Sequence, residues 1–434
     1  MEMHPDFESD KNLNWIHRRD GDTDIYFVAN GNRQPITAKC VFRVTGKQPE
    51  FWNPETGRIE NVPQYADKGD LGVTSIPMSF EPSGSTFVIF RNKTAKPDGI
   101  VAFTRDGQPV MPEKASKEKI AIQKATYGVL TDAARTRDVT AKLQKLVDGG
   151  TDSFLVASMA EGDDPAFLVV KTLIVEYTIG GKPAKATGQD PETIDLLVVL
   201  AADRVAEVHA DGQGGLQIDA WKPGRYELKT GSGRILAAEV KELPPPAEVA
   251  GPWEVRFPAN WGAPPKITLD KLISWSEHAD AGVKYFSGTA AYVKTLEIPR
   301  EMLAANRRLF LDLGRVQVMA RVKLNGKDLG VLWKPPYKVD ITEAAKAGEN
   351  ALEIEVVNLW PNRMIGDEQL PEDSQRNPDG TLKKWPQWVL DGKPSPTGRF
   401  TFTSWRLWKK DSPLLESGLL GPVQLQCVQR VVPK

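Results

Sequence analysis

Apolar and polar residues alternate over short stretches of this chain, most clearly across residues 352–357. Three aliphatic side chains there are separated by Glu353 and Glu355, which gives the two-residue period of a strand with one buried face and one wet face. The alternation stops before Pro361, because proline has no N–H to donate to a neighbouring strand. The pattern predicts a strand, and after it a loop supported on the end of a sheet.

Similar short runs recur along the chain and are interrupted by turn residues. The 33 prolines and 36 glycines are spread throughout, and with the alternating runs they indicate an all-β protein. Residues 138–147 differ, since their apolar side chains fall on one face at helical spacing and Asp138 can act as the N-cap. Asn325-Gly326 predicts a tight hairpin turn.

A chain of 434 residues is too long for one ordinary core. We predict three tandem β-sandwich domains: a sandwich at 12–120, a β-rich sandwich with a short helix at 121–243, and a jelly roll at 250–432. Pro244-Pro245-Pro246 is the best linker, because three prolines form a stiff, extended spacer. The jelly roll carries a long loop that is rich in tryptophan.

Composition and charge narrow the possible partners. The 56 basic and 57 acidic residues leave a net charge of −1, which argues against a nucleic-acid partner. The chain contains no apolar run long enough to span a membrane, and no secretory signal is visible at its start. Cys40 and Cys427 are far apart in the sequence, so we expect buried free thiols and no cysteine-based zinc site.

Three aspartates near the start of the chain form a candidate calcium site. Asp20, Asp22 and Asp24 sit at alternate positions beside Gly21, a spacing that could wrap a calcium ion with oxygen ligands. The later bidentate glutamate of the helical calcium loop is missing. The alternative is that the aspartates cap a turn, with the basic residues at 17–19 as neutralising partners. No other cofactor is expected.

The Trp-rich loop holds the most distinctive chemistry. About sixty residues between Trp360 and Gly421 show little regular pattern, and they contain five of the twelve tryptophans. Arg363, Asp367 and Glu368 lie close to Trp360 in sequence. This mixture suits a sugar, because indoles stack on the apolar face of a pyranose and charged groups hydrogen-bond to its hydroxyls. The alternative is a buried arginine–carboxylate pair that ties the loop down.

The sequence resembles two glycoside hydrolase families. Residues 286–294, 311–314 and 322–330 resemble the sugar-binding-like jelly roll of glycoside hydrolase family 2. The tail is similar to family 106, the α-L-rhamnosidases, at residues 332–336, 358–363, 365–368, 398–402 and 417–423. Residues 15–30 resemble the segment that follows the catalytic portion in that family. The resemblance implies a galactose-binding-like last domain, a carbohydrate context, and a periplasmic or extracellular location.

The same resemblance implies that a catalytic part is missing. Members of family 106 carry their catalytic carboxylates in an N-terminal (β/α) barrel, and this chain has no repeated βα pattern to build one. We therefore expect the barrel to be absent and carry no catalytic residue over from the family. The residues that we predict to contact sugar are Trp333, Trp360, Arg363, Trp385, Trp388, Arg399 and Trp405.

Three functions remain open at this point. The first is the accessory, sugar-binding region of a glycoside hydrolase. The second is a self-contained hydrolase with its site in a cleft between sandwiches, and Asp367 and Glu368 are the candidate catalytic residues, each paired with a distant acid such as Asp24 or Glu416, since a glycosidase needs two facing carboxyl groups. The third is an interaction scaffold whose Trp-rich loop docks a partner or a second copy of the chain.

Overall fold

Strands make up most of the regular structure, as the alternating pattern predicts. The computed structural model describes residues 4–32, 35–94, 97–110, 119–130, 132–149, 151, 153–167, 169–190, 193–196, 204–210 and 215–434. The all-β fold class is therefore confirmed. No helix in the described part of the chain is long and apolar enough to cross a membrane.

The strands, labelled in chain order, are β1 Phe7–Ser9, β2 Asn14–Asp20, β3 Thr23–Ala29, β4 Ile36–Phe42, β5 Lys47–Trp52, β6 Ile59–Asn61, β7 Ala66–Lys68, β8 Val73–Phe80, β9 Ser85–Lys93, β10 Ile100–Arg105, β11 Gln108–Pro109, β12 Ile120–Gly128, β13 Thr136–Asp138, β14 Ser153–Leu155, β15 Thr172–Ile179, β16 Lys182–Gln189, β17 Thr193–Asp195, β18 Ala206–Ala210, β19 Leu216–Ala220, β20 Gly224–Thr230, β21 Ile235–Val240, β22 Ala247–Glu248, β23 Trp253–Arg256, β24 Lys266–Leu269, β25 Thr289–Ile298, β26 Arg307–Asp312, β27 Arg315–Gln317, β28 Met319–Leu324, β29 Lys327–Leu332, β30 Lys338–Asp340, β31 Gly348–Val357, β32 Gly418–Gly421 and β33 Gln424–Val431. The α-helices are α1 Thr140–Asp148, α2 Ala281–Lys284, α3 Pro361–Asp367 and α4 Gln387–Leu390.

Contacts divide the chain into two units. Unit 1 runs to Ile218 and also contains Gly224–Glu239 and Val432–Lys434, and unit 2 consists of Asp219–Pro223 and Val240–Val431. Within unit 1, β10 and β11 pair with β20 and β21 in one sheet, so this sheet draws strands from both sides of the predicted boundary at residue 120. The division into three domains with those boundaries stays a prediction.

Unit 1 begins with a sandwich of two antiparallel sheets. Their strand orders are β1-β4-β8-β7 and β2-β3-β9-β5-β6, and the alternating side chains of β3, β4, β8 and β9 meet in a core that includes Tyr26, Phe42 and Phe90. The predicted helix is present as α1, with Leu143 buried. The position assigned as N-cap is Val139, which makes no side-chain capping bond. The Asp138 carboxylate accepts from the Thr140 N–H at 2.9 Å, which is the bond that a cap at residue 138 makes to the second helical amide.

Unit 2 is a sandwich with the predicted jelly-roll character. One sheet has the order β24-β23-β25-β31-β28-β29, and the facing sheet contains β33-β26-β30 with β22 beside β33. The alternation that opens the sequence analysis is realised in β31, where Leu352, Ile354 and Val356 are buried. Asn325 and Gly326 have φ values of 52° and 80°, as a tight hairpin between β28 and β29 requires.

The chain between β31 and β32 forms the Trp-rich segment, residues 358–417. Every residue of this stretch is described, and it contains no strand, only α3, α4 and isolated bridges at residues 376, 381, 382 and 405. The prediction of a loop directly after β31 is wrong for residues 361–367, which form α3. The helix begins at Pro361 because proline at the first helical position has a suitable fixed φ and leaves no extra donor unpaired.

Both cysteines are free and buried, as expected. Burial raises the pKa of the Cys40 thiol to about 12 and also raises the pKa of Cys427. The thiolate is the reactive form, so neither thiol should react with a disulfide reagent in the folded protein at pH 8. Both should react after denaturation, and a Ser404→Cys variant, exposed in the native state, should react at once. Rapid native labelling of Cys40 would contradict the packing around it.

Candidate functional site

The register of the large sheet in unit 2 sets the position of the Trp-rich segment. Leu332, Ala320, Val356 and Ala290 are consecutive partners across β29, β28, β31 and β25. The chain therefore leaves β29 and β31 at the same end of the sheet. Trp333 follows the first of these strands and is 53% exposed.

Helix α3 is fastened to the sandwich through its first turn. Ser287 Oγ donates to Leu359 O at 2.8 Å and accepts from Arg363 N at 3.2 Å. Asn362 makes a reciprocal pair with Leu415, since its amide donates to Leu415 O and accepts from Leu415 N, both at 2.8 Å. The helix is thus held against the start of β25 on one side and against the end of the Trp-rich segment on the other.

Arg363 lies inside this anchor. The residue is 5% exposed, its guanidinium carbon lies 4.6 Å from the centre of the Phe400 ring, and Nη2 donates to Trp261 O at 3.4 Å. Burial lowers the pKa of Arg363, and the charge of Asp367 opposes this shift. The Phe400 ring also packs edge-on against Trp261, which in turn contacts Trp360. Arg363 therefore packs aromatic side chains together, while Trp360 itself remains 52% exposed.

Asp367 holds residues 400 and 401 of the Trp-rich segment in place. Its Oδ2 accepts from Phe400 N at 3.0 Å, and from the amide and the hydroxyl of Thr401, both at 2.7 Å. The residue is 2% exposed. These three donors all belong to the chain itself, whereas a general acid must present a proton to its substrate. The geometry gives Asp367 a positioning role, and the catalytic role stays a prediction.

Glu368 belongs to an ionic network with two arginines. Arg399 Nη1 donates to its Oε1 at 2.9 Å, and Arg406 Nε lies 3.1 Å from its Oε2. Arg406 also pairs with Glu372, and Arg399 donates to the carbonyls of residues 370 and 371. The side chain of Arg399 is only 6% exposed. The buried arginine–carboxylate pair that the sequence left open as an alternative therefore exists, between Glu368 and Arg399 and not at Arg363.

A small cavity lies beneath this network. Its volume is about 20 Å³, and its charged lining consists of three carboxylates and three arginines: Asp367, Glu368, Asp373, Arg376, Arg399 and Arg406. Burial lowers the pKa of Arg376, while the charges of Glu368 and Asp373 oppose this shift. Its Nη groups donate to Gly380 O and Thr403 O, so the side chain joins the two halves of the segment.

An open groove of about 490 Å³ lies beside the cavity, and Asp373 lines both. The groove is lined by Glu372, Asp373, Ser374, Gln375, Lys384, Pro386, Gln387, Trp388 and Pro396. Trp388 is half-buried, donates its indole N–H to Asp373 O at 3.0 Å and packs edge-on against Phe402. Trp385 rests on the same Phe402 ring and is 57% exposed.

The structure brings together only some of the residues predicted to contact sugar. Trp385 and Trp388 share Phe402 beside the groove. Trp405 is 56% exposed and donates its indole N–H to Asp379 O at 2.9 Å, and Arg363 and Arg399 are buried. Sequence reasoning missed three groove residues, Gln375, Lys384 and Gln387. Lys384 and Gln387 directly precede the tryptophans at 385 and 388, which was a usable signal, whereas no local signal marked Gln375.

Two of the three aspartates proposed for calcium, Asp22 and Asp24, have basic partners. Asp24 pairs with Lys47 at 2.9 Å and lies 3.4 Å from His17, and Asp22 pairs with Lys93 at 3.1 Å. The described residues contain no group of three or more His, Cys, Asp or Glu side chains arranged to hold a metal ion. The neutralising role of the nearby basic residues fits this geometry, and the calcium site stays a prediction.

Comparison with known proteins places the chain in a glycoside hydrolase context. Residues 1–67 match the family model described as alpha-L-rhamnosidase, of glycoside hydrolase family 106. Residues 275–388 match the model described as the glycosyl hydrolase 2 galactose-binding domain-like family. The second match covers β25 to β31 and the first part of the Trp-rich segment. Both resemblances are therefore confirmed.

Two longer proteins are similar to almost the whole chain. A protein from Formosa agariphila named "Putative beta-glucuronidase" is 32% identical, over 96% of this chain and 43% of its own length. The solved rhamnosidase of Novosphingobium sp. PP1Y is 25% identical with a TM-score of 0.53, over 98% of this chain and 25% of its own. The chain thus spans less than half the length of either protein, and it is related to glycoside hydrolases.

Replacing Asp367 by alanine should loosen the Trp-rich segment. The variant removes the acceptor of the Phe400 and Thr401 amides, and hydrogen bonds to charged groups contribute about 1.5–3 kcal/mol each. We expect faster amide hydrogen exchange at residues 398–402, measured by mass spectrometry. Asp411→Ala, at an exposed position, is the matched control. Equal exchange in both variants would show that Asp367 does not hold the segment.

Proposed function

We propose that this chain is the sugar-recognising accessory region of a glycoside hydrolase-related protein, and that the groove at residues 372–388 is where it contacts carbohydrate. The relationship to rhamnosidases and glucuronidases supports the carbohydrate context. The groove supports the location, because its lining combines the indole of Trp388 with amide and charged side chains. A periplasmic or extracellular location belongs to the same proposal.

The composition of the groove is the observation that carries the proposal. Sites for small ligands have volumes of about 300–1,000 Å³, and a groove of about 490 Å³ falls in that range. Gln375, Gln387 and Lys384 line the groove and can offer hydrogen-bond donors and acceptors to sugar hydroxyls. Trp388 adds an apolar ring face on which a sugar can stack. Its indole N–H already donates to a carbonyl of the protein, so the indole needs no hydrogen bond from the sugar.

The neighbouring indoles extend the aromatic surface. Trp385 and Trp405 are each more than half exposed, and large exposed aromatic groups on a soluble protein usually mark a contact surface. Tryptophan suits this purpose because one end of its ring system is apolar and the other can donate a hydrogen bond. A chain of several sugar units could use both the groove and these indoles.

The relatives suggest which sugars to test first. One is a solved rhamnosidase and the other is named as a β-glucuronidase. Rhamnosides and glucuronides are therefore the first two candidate ligands. Neutral hexoses serve as a comparison, since the groove contains both charged and uncharged donors.

Self-contained hydrolysis is the second candidate, and one observation favours it. Four carboxylates, at residues 367, 368, 372 and 373, line the cavity or the groove. All four are engaged by donors: Asp367 by three, Glu368 by two arginines, Glu372 by Arg406, and Asp373 by the Ser395 hydroxyl. Glu372 and Asp373 are the groove carboxylates that would have to face a glycosidic bond, at about 5–5.5 Å for retention or about 6.5–9.5 Å for inversion.

Sugar binding should depend on the tryptophan of the groove. Trp388→Ala removes the stacking face and should raise the dissociation constant about tenfold, because such contacts contribute about 0.5–1.5 kcal/mol beyond burial. Isothermal titration with rhamnose, glucuronate and their oligosaccharides would measure this change. Trp15→Ala, at an exposed tryptophan of unit 1, is the control. If no sugar binds and Trp388→Ala changes only self-association, the chain is a docking scaffold.

Hydrolysis should be absent under the accessory proposal. We expect no release of aryl groups from a panel of aryl-glycosides that includes rhamnosides and glucuronides. Turnover abolished by Glu372→Gln or Asp373→Asn, with sugar binding retained, would instead establish the second candidate. Turnover lost in Asp367→Asn or Glu368→Gln would favour the catalytic candidates that the sequence suggested, provided that both variants keep the native thermal transition.

A further inference from the structure

Several buried polar atoms around the small cavity lack a hydrogen-bond partner among the described protein groups. They are Asp367 Oδ1, Arg376 Nε and Arg406 Nε, and all three residues line the cavity. Asp367 is 2% exposed, so its second carboxylate oxygen has no ready contact with bulk solvent. A buried polar group left unpaired costs about 1–3 kcal/mol, and more if charged, and each such group in a native protein calls for a partner.

The three atoms need hydrogen-bond partners of different kinds. Asp367 Oδ1 is a carboxylate oxygen and accepts a hydrogen bond, and the other oxygen, Oδ2, already takes three donors. The two Nε groups can only donate. Arg406 Nε lies 3.1 Å from Glu368 Oε2, but its N–H is not aligned with that oxygen. A partner for all three must therefore donate one hydrogen bond and accept others.

The volume of the cavity further limits which chemical group can bind there. A cavity needs roughly 10–15 Å³ to hold one water molecule, and this cavity has about 20 Å³. A halide ion cannot donate to Asp367, and a metal ion cannot accept from the arginines. A whole pyranose is far too large. One oxygen atom that carries hydrogen satisfies both the polarity and the volume.

We propose that this cavity is a binding site for a single O–H group, held between Asp367 Oδ1 and the Nε atoms of Arg376 and Arg406. In the free protein the group is a bound water. A sugar hydroxyl is the second source of the same chemistry, because Asp373 lines both the cavity and the groove. Only this second source rests on the proposed function, whereas the water site stands without it.

The site gives the groove a means of selecting one hydroxyl. A sugar hydroxyl that reaches the cavity replaces the water and keeps its hydrogen bonds, so the exchange costs little. A deoxy sugar at the same position leaves Asp367 Oδ1 or the arginines unpaired. Discrimination against such analogues is strong when the protein groups are buried.

A crystal structure of the full chain at high resolution tests the proposal directly. We expect one oxygen peak in the cavity, within about 2.7–3.2 Å of Asp367 Oδ1 and of at least one arginine Nε. Crystals soaked in sodium bromide should show no anomalous signal there. An empty cavity, or bromide bound in the unaltered protein, would overturn the proposal.

Asp367→Asn supplies a sharper comparison. The backbone amides of Phe400 and Thr401 will orient the new amide with its oxygen toward them and its NH₂ group toward the cavity, so that all three groups proposed to hold the O–H then donate. We expect bromide to enter this variant, and the control Asp411→Asn to exclude it. If bromide is excluded from Asp367→Asn as firmly as from the unaltered protein, the acceptor role of Asp367 is wrong.

A second variant keeps the test valid if Asp367→Asn does not fold. Arg376→Lys removes one Nε donor, and the shorter amine should occupy the cavity, so the oxygen peak should be lost. Crystals with a bound sugar separate the two sources of the O–H group. Continuous density from the sugar into the cavity identifies a hydroxyl, an isolated peak identifies water, and either result supports the site. Absence of sugar binding altogether bears only on the proposed function.

Discussion

The buried carboxylate of Asp367 is the constraint on which the Trp-rich segment depends. Residues 358–417 form no strand, so their backbone groups cannot be satisfied by a sheet ladder and must find other partners. Asp367 supplies an acceptor for two consecutive amides, and Asn362 does the same for the far end of the segment. Charged acceptors make stronger hydrogen bonds than neutral ones, which is why one side chain can fix a turn thirty residues away.

The arginines add further hydrogen bonds that hold the Trp-rich segment in place. Arg399 and Arg376 donate mostly to backbone carbonyls, while their charges are balanced by Glu368, Glu372 and Asp373. Removing one partner of such a network would leave a buried charge unpaired, which costs about 3–5 kcal/mol. The network therefore rigidifies a surface segment that would otherwise have no regular structure, and it fixes one wall of the groove.

In this arrangement, the side chains that hold the segment in place differ from the side chains that are exposed in the groove. The charged groups that the sequence marks as most promising are largely used to hold the segment, whereas the groove exposes amides, one lysine and tryptophan faces. Sites are often built in this way, with function carried by side chains on a loop whose shape is set by others beneath it. The relation to rhamnosidases and glucuronidases fits a surface shaped for saccharides, but the activity of those longer proteins belongs to their full chains.

The sequence alone determined the elements whose signals are local. The alternation at residues 352–357 gave β31, Asn325-Gly326 gave the hairpin between β28 and β29, and the helical spacing at 138–147 gave α1, because side-chain period and turn chemistry are properties of neighbouring residues. Only the tertiary structure decided which carboxylate meets which arginine. Glu368 and Arg399 are 31 residues apart, and Arg363 became an aromatic-packing residue through Phe400, 37 positions further on. Burial and pairing of charges depend on such distant partners, and no local pattern encodes them.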